Sequence, residues 1–401
     1  MNCSSAVIGD LVEPRVDQGG PSCSEFTYVD ISSIDNESKR ICQPKLLPCE
    51  TAPSRARQRL KARDVLVSMT RPNLNAVALL PPELDGAIGS TGFDVLRTKP
   101  GVEPAWLYYA VQTPDFIQAM SGIVQGALYP AVRPRDIRGF PLRVPLLDEQ
   151  RRIVAEIEER LSRLEAGVAA LKRVQANLKR YRAGALAEIT RINHETLPAG
   201  WRWSSVGELA QVGTGATPKR GQSTYWQDGT VPWVTSGVVN QPIVTEPTEL
   251  FTETALQETN CKVYPPGTLL VAMYGEGKTR GMCTELGISA ATNQALAAVQ
   301  TEESLRPYLK RVLQAAYERT RGAASGGVQP NLNLSHVRAI RVPLPPPSVR
   351  RQVVEEIDRR LSVVEELETQ VNADLARAER LRQAVLHEAF KQPGTAATLT
   401  S

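Results

Sequence analysis

VAEIEERLSRLEA, residues Val154–Ala166, returns as VEEIDRRLSVVEE, residues Val354–Glu366. Ile157, Leu161, Ser162, Glu165, Arg180, Arg182, Leu186 and Glu188 recur as Ile357, Leu361, Ser362, Glu365, Arg380, Arg382, Leu386 and Glu388, at a constant offset of 200 with no gap. Self-similarity at a fixed spacing marks a repeated structural unit. Apolar residues fall at heptad spacing in both copies: Ile157, Leu161, Leu164, Val168 and Leu171 in the first, Ile357, Leu361, Val364, Val371, Leu375 and Ala378 in the second. That is the pattern of a helix burying one stripe against another helix. Each run extends about 40 residues without an internal proline, roughly 60 Å of α-helix. Nine basic residues meet seven acidic ones from Leu147 to Thr190, and eight meet nine from Pro345 to Lys391. Charges so balanced read as solvated flanks of a seam rather than as DNA-binding arms.

A single heptad helix would suit homodimerisation. Two matched helices in one chain favour pairing with each other, at the high effective concentration of a linked partner. Run antiparallel, they predict two globular units at opposite ends of a stiff rod, with pseudo-twofold symmetry.

The repeat continues upstream. RVPL at Arg143–Leu146 returns at Arg341–Leu344, GALYP at Gly126 is echoed by GGVQP at Gly326, and DVLVSM at Asp64 by TLLVAM at Thr268. The chain therefore divides into a globular domain (1–146), a long helix (147–196), a second globular domain (197–344), a second long helix (345–391) and a flexible tail (392–401). In the globular parts, short β-type runs such as FTYVDI at Phe26, FDVLRT at Phe93 and ALAAV at Ala295 alternate with turns. Helical stretches such as AWLYYAVQTPDFIQAM at Ala105 and PYLKRVLQAAYERT at Pro307 intervene. This is an α+β pattern rather than a βαβ series.

The 401 residues, 42% of them hydrophobic, suffice for two or three domains with substantial cores. A net charge of +4 permits an acidic partner without demanding one. Six cysteines without CxxC spacing and three scattered histidines suggest neither a zinc site nor a disulfide framework, which leaves reduced thiols in a cytoplasmic protein. No signal-peptide pattern and no long apolar run appears.

The first domain holds the densest basic run, PSRARQRLKARD, followed by TRPN. Arg55, Arg57, Arg59, Lys61 and Arg63 alternate, so in a strand they share one side. Arg71 and Asn73 follow in a turn. Arginine grips phosphate or reads guanine through its two-pronged donor geometry; the competing reading is an edge strand guarded by charge. In the second domain, GTGATPKRGQSTYW supplies Thr217, Lys219, Arg220 and Tyr225 as surface candidates, while Trp201, Trp203, Trp226 and Trp233 read mainly as core. Tyr274, Lys278 and Arg280 lie in AMYGEGKTRG, whose GEGKT invites comparison with a nucleotide-binding loop. Ala272 stands where GxxxxGK[ST] needs glycine, and no helix pattern follows to receive phosphates. Glu37-Ser-Lys39 and Glu276-Gly-Lys278 match a nuclease-like ExK triplet too short to carry weight. No nucleophile elbow or dinucleotide fingerprint occurs. A nucleotide-dependent enzyme and a structural coiled-coil adaptor remain the competing functional classes.

Together these strings resemble the specificity subunits of type I restriction-modification enzymes, over nearly the whole chain. FTYVDISSID, APSRARQRLKARDVLVSMTRPNLNAVAL and GSTGFDVLR resemble one type of target-recognition domain. LPAGWRWSSVGEL, GATPKRG, VPWVTSG, LLVAMYGEGKTRG and ATNQALAAV resemble another. VPLLDEQRRIVAEIEERL and VPLPPPSVRRQVVEEIDRRL resemble the family's junctions into its helices. The resemblance implies an antiparallel intramolecular coiled coil between two target-recognition domains, each reading half of a split double-stranded DNA site, with helix length setting the spacing. It implies docking of two methylation subunits and of restriction subunits. It also places S-adenosylmethionine, ATP and Mg on those partners, with no catalytic residue and no metal in this chain. The second junction departs from the pattern: PLPPPSV stands where the first has PLLDEQ, which puts equal docking of both junctions in question.

Overall fold

The computed structural model describes residues 4–22, 24–123, 130–189, 197–274, 281–323 and 332–391. GALYP, GGVQP and the GEGKT loop fall wholly or largely outside them. The chain forms two compact units: Met1–Leu171 with Ala373–Ser401, and Lys172–Asn372. The boundary does not fall at the ends of the two long helices, α1 (Leu147–Glu188) and α2 (Pro347–Phe390). It cuts through both, so that each unit holds one globular domain and half of each helix.

In the first unit, strands β1 (Glu25–Val29), β2 (Lys45–Pro48), β3 (Ala56–Arg59) and β6 (Ile88–Ser90) form a sheet in the order β2-β1-β6-β3. Strands β4 (Val65–Ser68), β5 (Val77–Leu79) and β7 (Phe93–Leu96) form a second, in the order β7-β4-β5. The pair β1–β6 is parallel and the other pairs are antiparallel. Helix Pro104–Ala110 buries Trp106 and Leu107 beneath the second sheet, with proline opening it where a missing N–H costs nothing. An antiparallel pair, Ser4–Val7 with Pro141–Val144, leads into α1.

The second unit repeats this plan. Strands β9 (Val231–Val234), β11 (Glu249–Phe251), β12 (Val263–Tyr264) and β15 (Ala290–Thr292) form a sheet in the order β11-β9-β15-β12, again with one parallel pair, β9–β15. The other sheet has β8 (Gln211–Thr214), β10 (Ile243–Val244), β13 (Leu269–Ala272), β14 (Cys283–Leu286) and β16 (Leu296–Gln300), ordered β8-β16-β13-β14-β10. The DVLVSM and TLLVAM strings are β4 and β13, each paired antiparallel with the strand that follows the turn, β7 or β16. Arg202–Ser205 pairs with Arg341–Leu344 just as the closing strands do in the first unit.

Within each unit the helical halves pack antiparallel. In the first, Ile157 and Leu161 of α1 meet Val385 and Leu386 of α2. In the second, Leu186 of α1 joins Ile357 and Leu361 of α2 in the domain core. The ion pairs obey the 200-residue offset with the helices exchanged. Arg160–Glu388 (2.9 Å) and Arg382–Glu165 (3.6 Å) in the first unit correspond to Arg360–Glu188 (2.8 Å) and Arg182–Glu365 (3.4 Å) in the second. Single exposed pairs add little stability; their value is in marking register. Val364, Val371, Leu178, Ala185 and Ala378 are buried, while Leu164, Val168, Leu171 and Leu375 are half-buried. Gln175, half-buried at a seam position, donates to the exposed Asn372 (3.0 Å).

Gln150, in the LLDEQ junction, is buried. Its Oε1 accepts from the Glu103 amide (2.8 Å) and its Nε2 donates to the Pro145 carbonyl (2.9 Å), so it locks α1 to its own domain. Arg350 stands at the equivalent place in the proline-rich junction, with a buried Nε that finds no partner among the described residues.

Candidate nucleic-acid interface

β3 alternates as its sequence predicts. Ala56, Gln58 and Leu60 point inward, while Arg55, Arg57, Arg59 and Lys61 are exposed. The outer edge of β3 is already covered by the segment before β1: the Gly19 amide donates to the Arg57 carbonyl (2.7 Å) and the Arg59 amide to the Asp17 carbonyl (2.9 Å). The arginines are therefore not needed to guard a bare edge, which removes the structural reason for their density.

Four bonds organise the site around the turn between β6 and β7. Buried Gln58 donates to the Ser90 and Phe93 carbonyls (2.7 and 2.9 Å), spanning the turn. The Thr91 amide donates to Arg55 (2.9 Å), and the Met69 amide to Gly92 (2.9 Å). Arg55 and the loop that begins at Thr70 thus flank one turn. Arg71 and Asn75 in that loop hold left-handed backbone, φ 48° and 45°, a conformation that costs free energy unless its surroundings fix it. The Asn75 side chain donates to the Val111 carbonyl (2.9 Å), the Arg71 amide to Pro130 (2.8 Å), and the Lys39 ammonium to the Asn75 carbonyl (2.6 Å). Arg71 and Asn73 are left facing solvent. Lys61 lies at the other end of β3, next to the Arg97–Asp64 pair (2.8 Å), and Arg63 is occupied by Glu103.

Lys39 belongs to this scaffold, not to an ExK metal site. Burial, with Arg382 of α2 nearby, lowers its pKa from 10.5 to about 8; Glu379 of α2 and Asp35 of its own hairpin pull the other way. The unfolded chain keeps this proton up to 10.5, so between pH 8 and 10.5 it binds more protons than the native state and stability rises with pH. Lys39→Met is expected to flatten that rise, as measured by the thermal midpoint at pH 7.5 and pH 10; an unchanged slope would refute the assignment.

In the second unit the equivalent turn joins β15 to β16, and the Met273 amide donates to Ala295 (2.8 Å) as Met69 does to Gly92. This places Tyr274, 40% exposed, beside the turn. The GATP loop lies on the same turn. A side chain at Gly215 would collide with the Thr292 carbonyl at 1.7 Å, so only glycine permits the approach. Trp233 Nε1 donates to the Ala216 carbonyl (3.1 Å), and Thr217 Oγ1 donates to Gln294 Oε1 (2.6 Å). Thr217 and Lys219 are exposed.

One surface candidate is corrected, and a second keeps its exposure but has its guanidinium engaged. Tyr225 is 8% exposed and its hydroxyl donates to Glu258 (2.9 Å), so it belongs to the core around Trp233. Arg220 is exposed, but its guanidinium donates to Glu249 (3.0 Å) and stacks over Trp226 at 4.1 Å, which occupies its fork. Lys278 and Arg280 lie outside the described residues. Reading the sequence missed Gln294, exposed at the turn. Gln294 stands in ATNQALAAV, a string noted for its strand pattern and its resemblance to a recognition domain but not for this side chain. Among the described residues, no group of three or more His, Cys, Asp or Glu is placed to hold a metal ion, and no helix is long and apolar enough to cross a membrane.

Comparison with known proteins gives a consistent picture. Residues 198–377 match the family model described as "Type I restriction modification DNA specificity domain". The chain is 22% identical over 185 residues to the type I restriction enzyme EcoR124I/EcoR124II specificity subunit of Escherichia coli, a stretch covering 45% of each protein. It thus spans less than half the length of that relative. It is 20% identical over 327 residues to the type I restriction enzyme StySPI specificity subunit of Salmonella potsdam, covering 75% of this chain and 68% of the relative. A solved chain from a study of complex assembly and conformational transition in the type I R-M system superposes with a TM-score of 0.79, at 29% identity over 97% of both chains.

Proposed function

We infer that this chain belongs to the specificity subunits of type I restriction-modification enzymes, and that its work is to read DNA, one recognition domain for each half of a split target. One observation carries this reading: a single strand plan is built twice, yet the matching turns present different groups. Arg55, Arg71 and Asn73 surround the first; Thr217, Lys219, Tyr274 and Gln294 surround the second. Phosphate contacts fix position and base-edge contacts select sequence, so unlike groups on like frames are what two unlike half-sites require.

In this reading the chain is a non-catalytic cytoplasmic subunit. The helices carry two methylation subunits and support restriction subunits, and S-adenosylmethionine, ATP and Mg belong to those partners. The nucleotide-enzyme and adaptor readings have no observation in their favour.

The test is binding to target DNA with each half scrambled in turn. Arg71→Ala is expected to lower affinity roughly tenfold, and the loss should vanish when the first domain's half-site is already scrambled. Lys219→Ala is expected to weaken all sequences alike and to reduce the salt dependence by about one phosphate contact. Equal losses from Arg71→Ala on both scrambled targets would overturn the division of labour.

A further inference from the structure

Resting on the DNA-reading function above, we propose that Gln294 is a base-reading residue that recognises an adenine in the second domain's half-site, and that Thr217 is the positioning residue for its carboxamide. Gln294 is exposed at the tip of the β15–β16 turn, on backbone held from several sides. The Asn293 amide donates to the Val234 carbonyl (3.0 Å), Asn293 Oδ1 accepts from the Ala295 amide (3.2 Å), and the Ala295 carbonyl accepts from the Met273 amide (2.8 Å). A long side chain on so fixed a turn can be aimed to within the tolerance that base recognition needs.

The carboxamide is aimed as well. Thr217 Oγ1 donates to Gln294 Oε1 at 2.6 Å, and Thr217 is itself held on the loop that Gly215 allows to rest against Thr292. That bond uses one lone pair of Oε1. The second lone pair and both Nε2 hydrogens stay available for a ligand. One acceptor and one donor side by side complement adenine in the major groove, where N6 donates and N7 accepts; no other base presents that adjacent pair on its major-groove edge. Lys219, two residues beyond Thr217 in its loop, and Tyr274, next to the Met273 that bonds the turn, are both exposed and available to a backbone phosphate. At the matching turn of the first domain the tip residue is Thr91, and the Gln58 carboxamide that spans this turn is buried and spent on the Ser90 and Phe93 carbonyls, so an exposed carboxamide at the tip of the turn belongs to the second domain.

The experiment selects bound sequences from a randomised two-part DNA library, using the full chain assembled with its methylation subunits. The wild type is expected to enrich adenine at one position of the second half-site. Gln294→Met should erase that preference at this position alone, with a loss of roughly tenfold or more for the adenine-containing site. Gln294→Arg should shift the preference there toward guanine. Thr217→Val should weaken the adenine preference without changing the other positions. A Gln294→Met protein that selects the unaltered sequence overturns the proposal, and so does one that loses the whole second half-site uniformly. A wild-type complex that enriches no sequence at all overturns instead the DNA-reading function on which the proposal rests.

Discussion

Replacing Arg138 with leucine is expected to destabilise the first unit by about 3–5 kcal/mol. Arg138 donates to both carboxylate oxygens of Asp94 (3.0 and 2.8 Å) and to the Glu13 and Pro14 carbonyls (3.0 Å each). Asp94 is only 5% exposed, so removing the cation strands a buried charge. Burial already pushes the Asp94 carboxyl above its ordinary 3.8, outweighing the bonds from Arg138. A group whose folded pKa is raised contributes stability on the acid side and loses it as pH rises. Without Arg138 the pKa climbs further. The deficit of the variant should therefore be smaller at pH 5, where a neutral Asp94 is tolerated, than at pH 8. Asp94→Asn in the Arg138→Leu background should recover part of the loss. Hydrogen exchange of peptides from the first unit measures the effect; a deficit independent of pH would show that the pair is not its source.

Four residues inserted into both α1 and α2 are expected to move the preferred DNA spacer rather than merely weaken binding. Both helices are continuous and each contributes one half to either unit, so a change of helix length acts between the readers. Four residues add about 6 Å of rise, close to two base pairs at roughly 3.4 Å each. The original target should then bind at least tenfold more weakly than one with the longer spacer, since a misplaced reader forfeits its base contacts. Four residues also rotate the apolar stripe relative to a heptad. A seven-residue insertion in both helices keeps the stripe in phase, and should favour about three extra base pairs. An unchanged spacer preference in both variants would reject helix length as the ruler.

What the sequence disclosed and what it hid follow from distance along the chain. The heptad stripe and the alternation in β3 are local periodicities, and Ile157, Leu161, Arg57 and Arg59 stand where those periods put them. The offset of 200 reached further, because the ion pairs are written in repeated residues: Arg160 and Glu388 foretell Arg360 and Glu188. Pairings that owe nothing to the repeat were out of reach. Glu249, which claims Arg220, stands 29 residues away, and Glu258, which draws Tyr225 inward, 33. Arg138 and Arg338 share the offset, yet one grips Asp94 and the other donates to the Val212 carbonyl (2.7 Å). The repeat preserved the side chain and the fold around it assigned a different partner. Gln294 went unnoticed because nothing local distinguishes a glutamine on a turn until Thr217, 77 residues earlier, is seen bonded to it.

The first unit is joined from two stretches that the ribosome delivers at different times. Residues up to Leu171 emerge first, and the helical half beginning at Ala373 follows only after the whole of Lys172–Asn372. At roughly 5–20 residues per second the interval is on the order of 10–40 s. Throughout it, Ile157 and Leu161 have only early residues such as Tyr109 and Ile153 against them, until Val385 and Leu386 arrive. A neighbouring nascent chain that is further along carries an identical late half and could cover them first. Crowded polysomes are where this architecture is open to an exchange of helical halves between copies.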